Sequence, residues 1–203
     1  MKYIITLLIT LVHFYNYAQQ PVLTLQDQGF RNIDNAYYKD NNNELDSFEG
    51  TWLFTDGNNS LKIVLEKEVM YYNGSYYEDR IRGEYQYIKN GVEIVNTLIR
   101  LNDTILQPSF SRHEIYGNSI LRDCFYIPLN DCNTGELRLR VSFMDPNSNE
   151  HYGEMILKHR VINGQDALKA YIGFGLTNPS GPADRVISDP DLPWQGEYVM
   201  FKQ

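Results

Sequence analysis

The feature of this sequence that most limits its fold is the alternation of apolar and polar residues between tight turns. The alternation is clearest in the segment ELRLRVSF, whose apolar members are Leu137, Leu139, Val141 and Phe143 and whose intervening members are Arg138, Arg140 and Ser142. Successive side chains of a strand point to opposite faces of a sheet. The segment therefore predicts a strand with one buried face and one solvated face.

Short turn signals separate the alternating segments. Asp56-Gly57, Asn90-Gly91 and Asn163-Gly164 each stand between two such segments, and dipeptides of this kind favour two-residue hairpin turns. Tight turns join neighbouring strands, and closure of a long meander removes exposed strand edges. The pattern predicts an all-β fold, an antiparallel up-and-down β-barrel of about 8–10 strands.

The first residues have the layout of a secretory signal peptide. Lys2 precedes an apolar run from Ile4 to Val12, and a polar-aromatic stretch ends at Ala18. The run is shorter than the roughly 20 residues of a membrane-spanning helix. We predict a signal peptide over residues 1–18 with cleavage after Ala18, an irregular leader over 19–49, and a single barrel domain over 50–203.

The charge balance limits the partners that the chain can have. The formal net charge is −8, which provides no basic field for phosphates, so neither nucleic acid nor an anionic membrane is an expected partner. Cys124 is the first cysteine, so no N-terminal cysteine follows the predicted cleavage site to carry a lipid anchor. We expect an exported protein, periplasmic or extracellular, without a membrane anchor.

Two cysteines, Cys124 and Cys132, lie eight positions apart. In an exported chain this spacing favours a disulfide across a short connection. Free buried thiols are the alternative. Structural zinc is less favoured, because two thiolates fall short of the four ligands that it takes.

The start of the first long strand carries a short motif, Gly50-Thr51-Trp52, which follows the polar leader. Gly-x-Trp at this place resembles the signature of the lipocalin and calycin families. The resemblance implies an eight-stranded barrel in which the tryptophan packs across the closed end. It also implies a basic residue over the ring, a position that Lys202 fits. Other lipocalin motifs are absent from the sequence.

A broader resemblance spans nearly the whole chain after residue 18. The sequence is similar to an uncharacterised group of small exported bacterial proteins, which share Ala-Gln at the end of the signal peptide, a leader of the form KDxNNEL, the triplet GTW and a Phe-Lys-Gln terminus. The corresponding residues here are Ala18-Gln19, Lys39 to Leu45, Gly50 to Trp52 and Phe201 to Gln203. This resemblance implies no activity.

The leader places oxygen-bearing side chains at alternate positions, Asp40, Asn42, Glu44 and Asp46. Oxygen ligands at such spacing can surround calcium, but the glycine and glutamate of an EF-hand loop are missing. A solvated acidic turn is the favoured interpretation. We expect the leader to pack through the five residues Ile33, Tyr37, Tyr38, Leu45 and Phe48.

Motifs for catalysis are weak. The histidines after residue 18, which are His113, His151 and His159, lack the spacing of a helical zinc pair. No Gly-x-Ser-x-Gly segment occurs. The sequence therefore predicts no catalytic residue, metal or cofactor, and a hydrolase is the least favoured function.

Tyrosine is abundant, with 16 in the chain. Tyr76, Tyr77, Tyr85 and Tyr87 lie close together in sequence, and a tyrosine offers a flat apolar face and a polar rim to a ligand. Tyrosine is also a common structural residue of strands. Our first hypothesis is a non-enzymatic barrel that binds a small apolar or amphiphilic ligand in its mouth. The alternative is a module that binds a protein or a glycan through the Tyr-rich strands or the loop from Leu176 to Pro193.

Overall fold

The computed structural model describes residues 20–26, 31, 33–102, 113–124, 131–147, 151–176, 192 and 196–203. These residues contain eleven strands and two 3-10 helices, Glu44–Phe48 and Leu98–Asn102. In chain order the strands are β1 Val22–Thr24, β2 Tyr37–Lys39, β3 Gly50–Asp56, β4 Asn59–Tyr72, β5 Tyr77–Lys89, β6 Val92–Asn96, β7 Ile115–Leu121, β8 Arg138–Met144, β9 His151–Ile162, β10 Gln165–Leu176 and β11 Gly196–Lys202.

Eight of the strands close into an antiparallel barrel. The neighbours around it are β3, β4, β5, β7, β8, β9, β10 and β11 in that order, and β11 pairs with β3 to close the ring. The closing register places Phe201 opposite Leu53 and Lys202 opposite Trp52. The predicted up-and-down barrel is therefore confirmed.

The turns predicted at Asn90-Gly91 and Asn163-Gly164 are confirmed, whereas the turn between β3 and β4 is Gly57-Asn58, one residue after the predicted Asp56-Gly57. Asn90 and Gly91 have φ values of 54° and 80°, and Asn163 and Gly164 have φ values of 51° and 79°. A two-residue turn with positive φ at both positions matches the twist of the strands on either side. These turns join β5 to β6 and β9 to β10.

Strand β5 has one long partner on one side and three shorter partners on the other. Along its whole length it pairs with β4. On its other side, its start pairs with β2 in parallel, its middle pairs with β7, and its end pairs with β6. Strand β6 thus lies beside the barrel without being part of the ring, although its hairpin with β5 was expected from sequence.

The inward side chains pack into one continuous cluster. Most of the barrel positions in it are only 0–2% exposed, namely Trp52, Leu61, Ile63, Leu65, Ile81, Tyr85, Ile115, Leu139, Val141, Phe143, Met155, Leu157, Leu168, Ala170, Ile172 and Met200. A side chain that borders a water-sized space keeps some accessible surface. These described side chains therefore fill the layers that they occupy, as in other small barrels.

The leader is part of the sheet. Strands β1 and β2 pair in parallel, with Val22 opposite Tyr37. Four of the five residues expected to pack are buried, at 9% exposure or less, but Ile33 is 44% exposed, so that part of the expectation is wrong. Leu25 and Ala36 are buried as well. The leader thus covers the start of β5 through a short strand that sequence patterning did not predict.

Cys124 and Cys132 form a disulfide with a Cα–Cα distance of 5.9 Å, as predicted. The adjacent Asp131 accepts ion pairs from Lys158 at 3.3 Å and from Lys169 at 2.9 Å. Both lysines lie on outward positions of β9 and β10, paired with each other across the strands. The disulfide therefore holds an acidic residue against the outer wall of the barrel.

Candidate functional site

The end of the barrel at which β3 begins is closed. The 3-10 helix Glu44–Phe48 leads into it, and the indole N–H of Trp52 donates to the Phe48 carbonyl at 2.9 Å. Lys202 Nζ lies 5.2 Å from the Trp52 ring centroid. We call the helix with Gly50, Trp52 and Lys202 the closed end. Trp52 has no exposed surface, so it offers nothing to a ligand.

Gly50 is required by this arrangement. Its φ is 134°, a backbone conformation that residues with a side chain rarely adopt. A Cβ atom at this position would lie 2.8 Å from Cε of Lys202. The missing side chain leaves room for the lysine that covers the tryptophan.

The acidic leader motif also forms part of the closed end. The Asp40 carboxylate accepts backbone N–H groups of Glu44 at 2.9 Å and Leu45 at 3.0 Å, which caps the 3-10 helix. Lys67 Nζ lies 3.0 Å from the same carboxylate and 2.5 Å from Asp46. Asp40 is 2% exposed. The carboxylate at the start of the calcium-like pattern therefore caps a helix and binds a lysine.

A second buried carboxylate supports the first. Asp79 accepts the Tyr37 hydroxyl at 2.6 Å and the backbone N–H groups of Asp40 and Met70, both at 2.9 Å. Burial, followed by the hydrogen bond to Asp79, raises the pKa of Tyr37. These bonds tie the leader to both strands of the long β4–β5 hairpin.

The four tyrosines singled out from sequence do not share one surface. Tyr85 lies inside the barrel, where its hydroxyl donates to the Met144 carbonyl at 2.9 Å. Tyr77 packs on Tyr72 at a centroid distance of 4.8 Å near the hairpin tip. Tyr87 points into the barrel near the end opposite the closed end. Tyr76 lines a groove on the outer wall of the barrel.

The barrel end opposite the closed end has an aromatic mouth, formed by Phe54, Tyr87 and Tyr198. All three are partly buried and pack against the core. The rings of Phe54 and Tyr198 make an edge-to-face contact at 5.1 Å. Burial raises the pKa of Tyr198, and the nearby Tyr87 adds to the shift.

An open groove of about 280 Å³ lies on the outer wall, where β7 and β8 meet the start of β5 and the leader. Tyr116 and Ser142 are opposite each other across β7 and β8, and so are Ser119 and Arg140. They alternate with buried inward residues, which directs them outward. We call this the outer groove; its lining includes Arg31, Tyr76, Glu78, Tyr116, Gly117, Asn118, Ser119, Arg140, Val141 and Ser142.

A β-bulge shapes the floor of the outer groove. The pairing of β7 with β8 shifts between Tyr116 and Ser119, and such a bulge redirects side chains locally. Asn118, within the bulge, donates to Glu78 at 2.9 Å and to the Asp79 carbonyl at 2.7 Å. Arg31 of the leader donates through Nη1 to Glu78 at 2.6 Å and to Asn118 at 2.9 Å. The floor is thus a fixed hydrogen-bonded network.

The walls of the outer groove differ from its floor. The side-chain hydroxyls of Tyr76, Tyr116, Ser119 and Ser142 form no hydrogen bond with any part of the described chain. Each hydroxyl can both donate and accept. The outer groove therefore combines two aromatic side chains with hydroxyl groups that are open to a ligand. Sequence analysis identified Tyr76 and the solvated face of β8, but not the convergence of these segments.

A buried cluster of titratable side chains lies near the middle of β5, between the residues that pair with β7 and those that pair with β6. His113 Nδ1 lies 2.8 Å from Glu84 Oε1, and the two side chains are 7% and 0% exposed. Glu114 pairs with Arg100. Burial raises the pKa of Glu114 against the opposing effect of Arg100. A His–carboxylate pair can act as a general base, but these exposures leave almost no surface for a substrate.

Two further findings concern metals and membranes. Within the described ranges, no three or more His, Cys, Asp or Glu side chains are grouped so as to hold a metal ion. No helix of the described residues combines the length and the apolar character needed to span a membrane. The predicted signal peptide with Ala18, and most of the loop from Leu176 to Pro193, lie outside the described residues.

Over residues 1–203 the chain matches the model of a family of unknown function, DUF6705. It matches no curated protein and no solved structure.

Proposed function

Because the chain belongs to this family of unknown function, we propose its function from the geometry of the described residues: a non-enzymatic, exported module that binds a glycan in the outer groove. The observation that carries the proposal is a set of four hydroxyl groups around a single groove, on Tyr76, Tyr116, Ser119 and Ser142, that form no hydrogen bond with the described residues.

The chemistry of the outer groove fits a carbohydrate. A sugar ring has an apolar face that packs on an aromatic side chain, and Tyr76 and Tyr116 supply two such side chains. Its hydroxyls need partners that both donate and accept, which Ser119 and Ser142 supply. A pocket lined mainly by polar hydrogen-bonding groups suits a sugar better than an apolar ligand.

The barrel interior is less suited to a ligand. The described inward side chains around Trp52 and Tyr85 are close-packed, with exposures of 0–2%. Accommodating a ligand there would require these close-packed side chains to move, which is energetically unfavourable. The interior therefore favours a structural role.

A second candidate function is our first hypothesis from sequence, the binding of a small apolar or amphiphilic ligand at the mouth of the barrel. It is favoured by one observation: Phe54, Tyr87 and Tyr198 are partly exposed aromatic side chains at the same barrel end. Tyr198→Ala should weaken capture of a fatty acid or an aromatic ligand if this function holds. The same variant should leave glycan binding in the outer groove unchanged.

An exported location, which is part of the proposal, is compatible with binding of a glycan. The Cys124–Cys132 disulfide is a feature of proteins that fold in oxidising compartments, and residues 1–18 have the layout of a signal peptide. Polysaccharides of the cell surface and the medium are accessible from those compartments.

The test is isothermal titration of the purified protein with a panel of neutral and uronate oligosaccharides of six sugars. Tyr116→Ala should weaken binding at least tenfold, which corresponds to about 1.4 kcal/mol, because the sugar loses its aromatic surface. Tyr72→Ala is the matched control, since Tyr72 is 38% exposed and lies outside the outer groove. The proposal fails if no oligosaccharide binds, or if both variants lose binding equally.

A further inference from the structure

Arg31 reaches into the outer groove from the leader with a fixed orientation. Its Nη1 donates to Glu78 at 2.6 Å and to Asn118 at 2.9 Å, and its guanidinium lies 5.4 Å from the Tyr38 ring centroid. Its Nε and Nη2 form no hydrogen bond with any part of the described chain. Three contacts thus hold the guanidinium, while the edge formed by Nε and Nη2 has no hydrogen-bond partner among the described residues.

The charged side chains of the outer groove are paired within the fold. Of the two arginines in its lining, Arg31 pairs with Glu78 at 2.6 Å and Arg140 pairs with Glu154 of β9 at 3.2 Å. Glu78 Oε2 already accepts from Arg31 and from Asn118. The acid that could repel an anionic ligand is therefore neutralised within the floor network.

An arginine whose Nε and Nη2 have no partner among the described residues is suited to an oxyanion. The planar fork of a guanidinium matches a carboxylate or a phosphate and binds it through two hydrogen bonds. Because Arg31 is already oriented, little side-chain entropy is lost when it binds. A uronic acid is a sugar whose ring can stack on Tyr116 while its carboxylate meets this fork.

We infer that the outer groove binds a uronate-containing glycan and that Arg31 holds the carboxylate. This inference rests on the glycan-binding function proposed above and specifies its ligand class. Ser119 and Ser142 contact the hydroxyls of the sugar, and Tyr76 and Tyr116 contact its faces. The hydrogen bonds of Arg31 to Glu78 and Asn118 set the direction in which the carboxylate binds.

The test compares two oligosaccharides of the same linkage and the same ring hydroxyls. One is hexagalacturonate, and the other is its carboxyl-reduced, neutral counterpart. Titration at 50 mM salt should show the neutral oligomer binding at least tenfold more weakly. Affinity for hexagalacturonate should fall as salt increases, because opposite charges are screened.

A double variant isolates the role of Arg31. Arg31→Gln alone would leave Glu78 without its cation, so we pair it with Glu78→Gln, which keeps the net charge of the chain unchanged. This protein should lose at least tenfold in affinity for hexagalacturonate and little for the neutral oligomer. Its thermal unfolding midpoint shows whether the fold is intact. The single variant Arg31→Lys keeps the charge but lacks the fork, so its affinity for hexagalacturonate should lie between those of the double variant and the unmodified protein.

The outcomes separate the inference from the function on which it rests. Equal affinity of the unmodified protein for both oligomers would overturn the uronate inference and leave glycan binding standing. Equal losses for both oligomers in the double variant would overturn the role of Arg31. If neither these oligomers nor the neutral panel binds, the proposed function fails as well.

Discussion

The closed end and the outer groove are built from similar side chains but differ in how their polar groups are satisfied. At the closed end, the Trp52 N–H, the Asp40 carboxylate and the Lys67 ammonium all have partners within the chain. In the walls of the outer groove, the hydroxyls of Tyr116 and Ser142 have no hydrogen-bond partner in the part of the chain that the structure describes. The comparison indicates that aromatic and charged residues stabilise the fold at the closed end and are available for binding in the outer groove.

The largest expected effect is at the centre of the closed end. Trp52→Ala should lower the free energy of unfolding by about 3–5 kcal/mol, because a large, fully buried ring is removed and a cavity remains. Denaturant unfolding monitored by circular dichroism measures the change. The folded fraction should bind glycans with unchanged affinity, and a loss below about 1 kcal/mol would contradict the role given to Trp52.

A smaller effect is expected from the helix cap. Asp40→Ala should cost about 2–3 kcal/mol, since two backbone N–H groups and Lys67 lose a buried acceptor. The matched control is Asp46→Ala, because Asp46 binds the same lysine but its side chain is 51% exposed. That variant should cost less than about 1 kcal/mol. Equal losses in the two variants would show that the cap contributes nothing beyond the ion pair.

The alkaline stability of the protein tests the same lysine in another way. Burial lowers the pKa of Lys67, but its hydrogen bonds to Asp46 and Asp40 outweigh that effect, and the net shift is upward from 10.5. A raised lysine pKa stabilises the folded state below the unfolded-state value, and the stabilisation is lost as pH rises through the folded-state value. The free energy of unfolding that the unmodified protein has in excess of Lys67→Met should therefore be constant up to about pH 9.5. That excess should decrease above pH 10.5, as the lysine loses its proton. A change that begins near pH 7 would exclude Lys67 as its source.

The smallest effect on stability should come from the outer groove. Tyr116→Phe removes a hydroxyl that bonds to none of the described residues, so stability should change by less than about 0.5 kcal/mol. Glycan affinity should still fall, because the ligand loses a hydrogen bond. A loss of stability similar to that of Asp40→Ala would place Tyr116 with the structural residues and remove the contrast between the two regions.

The barrel was predictable because its signals are local. The alternation in β8 and the turns Asn90-Gly91 and Asn163-Gly164 are each contained in a few neighbouring residues, and each determines one element. The closed end was partly visible for the same reason, through Gly50 and Trp52 on one strand.

The leader and the outer groove could not be predicted in the same way. Strand β2 has three residues, and its pairing with β5 depends on residues about 40 positions along the chain. The outer groove joins Arg31, Tyr76, Asn118 and Arg140 from four separate segments. Asp40 looked like an acidic turn residue because nothing in sequence indicates that Lys67 and the N–H groups of the 3-10 helix meet its carboxylate.

Backbone amide chemical shifts, followed as hexagalacturonate is added to the isotope-labelled protein, would show directly where the glycan binds. We expect the largest changes to cluster at residues 76–78, 116–119 and 140–142, which include the lining of the outer groove, while Trp52 and its neighbours stay unchanged. Changes that cluster instead around Phe54, Tyr87 and Tyr198 would place binding at the mouth of the barrel and contradict the assignment of the outer groove.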